Sequence, residues 1–202
     1  MGSTEQSTEF WLADLARRRS FVKPEEHTIR GFFFKGVLEN LRKLGDEALV
    51  RRCLEACGQE RFVDFFSYSM DLMFPILLTA LPVLAERQGG AEAALRQMGR
   101  QSSIDFLSSV AGRAMLLLAH GSPKPLFTSL PAAFRVGMSY GSSQVEWLGP
   151  RQGRLLAQGG FMPPPFIEGM VLQMLETAGA RRCQATASPV GELDILCEFS
   201  WG

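Results

Sequence analysis

The hydrophobic positions follow a helical period over the first half of the chain. From residue 31 to residue 118, apolar residues recur at steps of three and four, as in the series Phe33, Val37 and Leu41. This spacing places them on one face of a helix. The half is therefore predicted to be a set of amphipathic helices, the last of which is one long helix over 101–119.

Two features divide this helical half into elements. Asp46 is a suitable N-cap for a helix that Gly58 ends. A broad apolar face then runs over 62–77. It predicts a further helix, which Pro75 should kink or divide because proline lacks the backbone N–H.

The period changes to two near residue 133. Phe134, Val136, Met138 and Tyr140 alternate with polar or small residues, which predicts a half-buried strand. The other elements predicted after residue 121 are a short helix over 124–132, strands at 145–147 and 155–158, a helix after the prolines at 163–165, and strands at 181–188 and 192–201.

This order predicts an α+β fold. An N-terminal helical half packs on a C-terminal antiparallel sheet of four to five strands, in the order β-β-β-α-β-β. Residues 1–28 form a polar N-terminal segment with one short helix, which ends in the basic triplet 17–19, interpreted as a solvated last turn. Residues 29–202 form a single domain of a ligand-binding type.

Composition excludes several function classes. The 202 residues carry 21 basic and 21 acidic side chains, and the pI is near 6.7. Nucleic-acid binding therefore lacks its usual electrostatic basis. The longest apolar stretch, 73–85, is too short for a transmembrane helix, and the first residues do not resemble a secretory signal. We expect a cytoplasmic protein.

No catalytic constellation is found in the sequence. The stretch 137–141 fits the pattern G-x-S-x-G around Ser139, but a second strand follows it where a nucleophile elbow needs a helix. Both histidines, His27 and His120, precede it. We expect no enzyme activity.

The cysteines and His120 have two interpretations each. Cys183 and Cys197 are symmetric about Val190 and would lie opposite each other in a regular hairpin. Together with Cys53 and Cys57 on one helix face they could bind zinc, but no C-x-x-C knuckle is present, so we expect buried thiols and no metal site. His120 is expected to cap a helix, and a haem axial ligand is its alternative role.

The aromatic and methionine-rich faces could enclose an apolar ligand cavity or form an ordinary core. Both readings stay open from the residues alone. The cavity candidates are Phe66, Met70, Phe74, Leu107, Ala111, Met115, Met138, Tyr140, Met170 and Met174.

Two resemblances bear on function. The stretches 30–36, 112–114 and 194–201 resemble an uncharacterised paralogous family that is abundant in myxobacteria and has no assigned function. The order of elements resembles the superfamily of haem–nitric-oxide-binding sensors, vinyl-reductase-associated domains and transport-particle core subunits. The latter two groups imply an apolar small-molecule or acyl cavity, or a protein-docking surface.

The haem sensors carry a Tyr-x-Ser-x-Arg motif that holds the haem propionates. Here Tyr140 and Ser142 keep that spacing, but Gln144 replaces the arginine and cannot supply its charge. His120 also lies closer to Tyr140 than the sensor histidine does.

The sequence therefore predicts a non-catalytic module for signalling or regulation, without a resident cofactor. It would bind a small hydrophobic ligand or a protein partner, and a homodimer is one arrangement that this allows. A haem-based gas sensor with His120 as axial ligand is the alternative.

Overall fold

The computed structural model describes residues 5–202. The helices are α1 (Thr8–Arg19), α2 (Gly31–Leu44), α3 (Glu47–Cys57), α4 (Met73–Gln88), α5 (Ala91–Ser108), α6 (Val110–Ala119), α7 (Pro123–Gly137) and α8 (Pro164–Thr177). The strands are β1 (Thr28–Arg30), β2 (Ser67–Ser69), β3 (Ser142–Gly149), β4 (Gln152–Gln158), β5 (Gln184–Pro189) and β6 (Ile195–Ser200).

The C-terminal strands form one antiparallel sheet of four, in the order β3-β4-β6-β5. Ile195, Cys197 and Phe199 of β6 are buried, as the alternation of this strand predicts. Helices α7 and α8 pack against the sheet, and the core lies between it and the preceding helices. The predicted α+β architecture is confirmed. Strands β1 and β2 form a separate two-stranded ribbon.

Local chemistry fixes the ends of α3 as the sequence predicts. The Asp46 side chain accepts a hydrogen bond from the Leu49 N–H at 2.8 Å, which is an N-cap. Gly58 ends the helix in the left-handed region with φ 66°, where glycine carries no steric cost.

Helices α5 and α8 pack closely because each has a glycine at the point where the two helices cross. A Cβ on Gly99 would lie 2.0 Å from the Phe166 carbonyl oxygen, and one on Gly169 would lie 1.8 Å from the Arg96 carbonyl oxygen. Only hydrogen fits at either place. Ser103 adds a hydrogen bond from its hydroxyl to the Met170 carbonyl at 3.0 Å.

The predicted strand over 134–140 is wrong, because most of this stretch belongs to α7. Leu126, Phe127 and Leu130 are buried at helical spacing, and Phe134 continues that series. Val136 is consequently 73% exposed. Two periods coexist in the sequence here, and packing on the sheet selects the helical one.

The predicted helix over 62–77 is also wrong in its first half. Residues 62–66 are irregular, β2 follows, and α4 begins at Met73. The Gly31 N–H donates to the Phe66 carbonyl at 2.8 Å, which holds the loop in place. Pro75 lies in the first turn of α4, where its missing N–H is tolerated.

The predicted single helix over 101–119 is divided at Ser109. The Ser109 hydroxyl accepts from the Gly112 N–H at 3.1 Å and so caps α6, and the helix pair is bent by 87°. Within residues 5–202, no single helix is long and apolar enough to cross a membrane.

The basic triplet 17–19 is not simply a solvated turn. Arg18 is 2% exposed, pairs with Asp14 at 2.5 Å and donates to the Met162 carbonyl at 3.3 Å. Arg19 forms two hydrogen bonds with Asp71, at 2.8 and 2.9 Å. Helix α1 is thereby fixed to distant segments of the chain.

The expected pairing of the C-terminal cysteines is wrong as well. Cys197 lies opposite Ala187, and Cys183 precedes β5. All four cysteines are free: Cys53, Cys57 and Cys197 are buried and Cys183 is half-buried.

Candidate functional site

A cavity of about 340 Å³ lies between the sheet and the helices. It is roughly twice the size of a cavity of about 150 Å³ that holds benzene in a protein core. Its wall is formed by Ile29, Phe33, Val37, Met70, Met73, Leu77, Ser102, Pro131, Phe134, Arg135, Met138, Tyr140, Gly141, Ser142, Ser143, Leu155, Ala157, Gln158, Gly160, Phe161, Met162, Phe166, Ile167 and Met170.

The interior is apolar and the mouth is polar. Most of the wall is made of aliphatic, aromatic and methionine side chains, and several of these are buried, among them Leu77, Leu155 and Phe166. Three wall residues are exposed to solvent, namely Arg135, Gly141 and Ser142. They mark the opening, so a molecule inside would meet hydrocarbon at depth and polar groups at the entrance.

Tyr140 bridges two parts of the wall. Its hydroxyl donates to Met70 Sδ at 3.2 Å, and burial raises the pKa of the Tyr140 phenol above its usual value. The phenol is therefore neutral. Behind the wall, the His27 ring lies 5.1 Å from the Phe161 ring and 5.9 Å from the Tyr140 ring, measured between centroids.

The structure brings four of the ten predicted cavity residues to this wall: Met70, Met138, Tyr140 and Met170. Phe74, Leu107, Met115 and Met174 are buried outside it. Phe66 and Ala111 are exposed and outside it. Phe66 lies outside the wall because 62–66 is a loop. Ala111 lies outside it because the chain bends at Ser109, before α6.

Several wall residues were missed by the sequence reasoning. Arg135 and Phe134 were assigned to a strand, and Ser143 to no site at all. The helical spacing of apolar residues that ends at Phe134 could have placed Phe134 and Arg135 on a helix. Ser143 gave none, because a serine on a hairpin strand is ordinary.

The hydroxyl of Ser139, the serine of the G-x-S-x-G pattern, is hydrogen-bonded to backbone groups. Ser139 Oγ accepts from the Thr28 N–H at 2.8 Å and donates to the Glu26 carbonyl at 2.6 Å. These bonds tie the end of α7 to β1, and they give Ser139 a structural role.

The wall residues do not fit a haem. Within residues 5–202, the wall contains neither histidine nor cysteine. His120 lies outside it, in the left-handed region at the C-terminus of α6 with φ 48°. This agrees with the capping role predicted for it. The neutral Tyr140 phenol is a poor iron ligand, and thioether ligation of haem iron usually accompanies a histidine.

Comparison with solved structures shows which fold this is. An Fe(II) unliganded H-NOX protein from K. algicida matches with a TM-score of 0.66 and 12% identity, over 86% of this chain and 97% of that one. An H-NOX protein from S. oneidensis in the Fe(II)NO ligation state matches with the same TM-score and identity, over 86% of this chain and 99% of that one. The chain therefore has an H-NOX-like α+β fold.

No curated protein matches the sequence. The family described as "Protein of unknown function (DUF2378)" matches residues 24–202, which is most of the chain. The chain thus belongs to the DUF2378 family.

Proposed function

We propose that this protein is a non-catalytic binding module for a small hydrophobic molecule. The observation that carries the proposal is the cavity of about 340 Å³, whose interior is formed almost entirely by apolar side chains. Binding sites for small molecules are commonly of this size and character. The H-NOX-like fold supports the proposal, because the H-NOX protein from S. oneidensis holds NO at its iron.

The driving force would be the removal of apolar surface from water. Each Å² of apolar surface buried contributes roughly 25 cal/mol, so even a two-ring molecule gains appreciable binding energy in such a cavity. A ligand that fills the cavity between α2, α7 and the sheet can also change how these elements pack against one another. We propose that the cell uses this change in cytoplasmic signalling or regulation.

A neutral fluorescent probe tests the cavity directly. N-phenyl-1-naphthylamine should bind with a saturable rise in fluorescence. Ala157→Phe should abolish that rise, because Ala157 is a wall residue and the added ring fills the space. Ala132→Phe makes the same change at an exposed position of α7 and should leave binding intact. Circular dichroism verifies that both variants fold.

The proposal is overturned if the wild-type protein gives no saturable signal, or if folded Ala157→Phe binds the probe as well as wild type does. Native mass spectrometry of the purified protein supplies a second readout. A stable mass increment that solvent extraction removes supports a ligand carrier. A bare dimer whose spectrum does not change when the probe is added supports a protein scaffold instead.

A further inference from the structure

Charge is confined to one point of the cavity wall. Within residues 5–202, Arg135 is the only charged residue of the wall, and it lies at the mouth. It lies on α7, outside the stretch 140–144 that corresponds to the Tyr-x-Ser-x-Arg motif of the haem sensors. A cation beside an otherwise apolar cavity has a clear chemical complement, which is an apolar molecule that ends in an anion.

The guanidinium of Arg135 is available for such a partner. Within residues 5–202 its side chain makes no hydrogen bond and no ion pair with the protein. By contrast, Arg19 binds Asp71 and Arg154 binds Glu146. Five N–H donors in a planar fork match a carboxylate in a bidentate arrangement.

A second donor without a partner lies in the same wall. Ser143 Oγ is buried and has no hydrogen-bond partner among the residues that the structure describes. A buried hydroxyl that is left unsatisfied costs free energy, and a ligand oxygen would recover it. Ser143 and Arg135 both belong to the wall, so the cavity offers an anionic ligand two kinds of donor.

We propose that the ligand is an apolar monocarboxylate. Its carboxylate binds Arg135 at the mouth and takes a hydrogen bond from Ser143, while its hydrocarbon part fills the interior. This inference rests on the proposed function, since it names the class of ligand for the same cavity.

Matched pairs of competitors test the inference through displacement of N-phenyl-1-naphthylamine. Dodecanoate is compared with 1-dodecanol, below the micelle concentration, and 2-naphthoate is compared with 2-naphthol. In each pair the hydrocarbon is the same and only the acid has the charge. Wild type should prefer the acid by about tenfold in at least one pair, which is the scale of one partly solvated charge-assisted hydrogen bond.

Variants assign the preference to its residue. Arg135→Gln should remove the preference while the alcohol binds as before, and Arg135→Lys should keep part of it. Arg151→Gln is the control, because Arg151 is an exposed arginine outside the wall. Ser143→Ala should reduce the preference by a smaller factor.

Each remaining outcome counts against a stated claim. Equal binding of acid and alcohol in both pairs, or a preference that persists in Arg135→Gln, overturns the carboxylate assignment. If the probe binds and none of the competitors displaces it, the assignment also fails while the cavity proposal stands. If the probe itself does not bind, both claims fail.

Discussion

The phenol of Tyr140 donates its hydrogen bond to the sulfur of Met70, 3.2 Å away, inside the cavity wall. Sulfur in a thioether is a weak acceptor, so this buried hydroxyl is poorly compensated. The second tyrosine of the chain is in the opposite situation. Tyr68 accepts a hydrogen bond from the Val63 N–H at 2.9 Å, which fixes the loop before β2.

The two tyrosines should therefore respond differently to the same substitution. Tyr140→Phe should leave the free energy of unfolding within about 0.5 kcal/mol of wild type or raise it, because it removes a poorly satisfied hydroxyl. Tyr68→Phe should lower it by about 1 kcal/mol, because the Val63 N–H loses its acceptor. Urea unfolding measures both, and a larger loss for Tyr140→Phe would show that its bond to Met70 is a strong one.

Haem reconstitution should give no absorbance band that depends on His120. Since His120 lies outside the cavity wall, wild type and His120→Ala should give the same spectrum after incubation with haem. His27→Ala is a suitable comparison, because the His27 ring lies behind the wall. A Soret band that is present in wild type and lost in His120→Ala would contradict this.

Arg18→Ala should destabilise the protein much more than Arg17→Ala. Arg18 is buried, and its loss removes the donors to Asp14 Oδ2 and to the Met162 carbonyl, while Arg17 still donates to Asp14 Oδ1. We expect a cost of about 2 kcal/mol. The Arg17 side chain is 42% exposed and pairs with both Asp14 and Glu192. Because Arg18 still holds Asp14 in Arg17→Ala, that loss should be below about 1 kcal/mol. Equal losses in urea unfolding would show that Arg18 does not fix α1.

Gly99→Ala should destabilise the crossing of α5 and α8. The added methyl would overlap the Phe166 carbonyl oxygen, and forced overpacking of this kind costs about 1–3 kcal/mol. Gly149→Ala is the control, since the nearest atom to its new methyl would be 4.0 Å away. Thermal unfolding compares the two, and a Gly99→Ala midpoint as high as that of the control would contradict close packing there.

Alkylation at pH 8 should distinguish the cysteines. Burial raises the pKa of Cys53 to about 11 and that of Cys197 to about 12, so both stay as neutral thiols that react slowly. Cys183 is half-buried and should react first. Mass spectrometry after iodoacetamide should show one fast site, which Cys183→Ser removes, and four sites in urea. Early labelling of Cys197 would be the contrary result.

Much of the fold follows from local sequence rules. Asp46 and Gly58 predict the ends of α3 because capping depends only on neighbouring residues. The alternation at Ile195, Cys197 and Phe199 predicts β6 because one face of the sheet is covered. The errors arise where local rules allow two answers. Phe134 fits both periods, and only its packing beside the sheet decides between them.

The site was harder to predict than the fold. Met70, Met138, Tyr140 and Met170 are predicted as cavity residues because large apolar side chains are common in cavities, and they lie in the wall. Their part in ligand binding stays a prediction. Phe66 and Ala111 lie outside the wall, since their exposure depends on the loop at 62–66 and on the bend at Ser109. No spacing rule reports that Ser143 lacks a partner, because this depends on which atoms surround it in the folded chain.

Five wall residues are methionines: Met70, Met73, Met138, Met162 and Met170. Their side chains are unbranched and polarisable, so they can be rearranged around differently shaped molecules at little cost. A cavity lined in this way adapts to its ligand and discriminates only weakly between ligands of different shape. Selectivity in this protein then depends on the entrance, and exchanging a few entrance residues would retarget the same scaffold without rebuilding its interior.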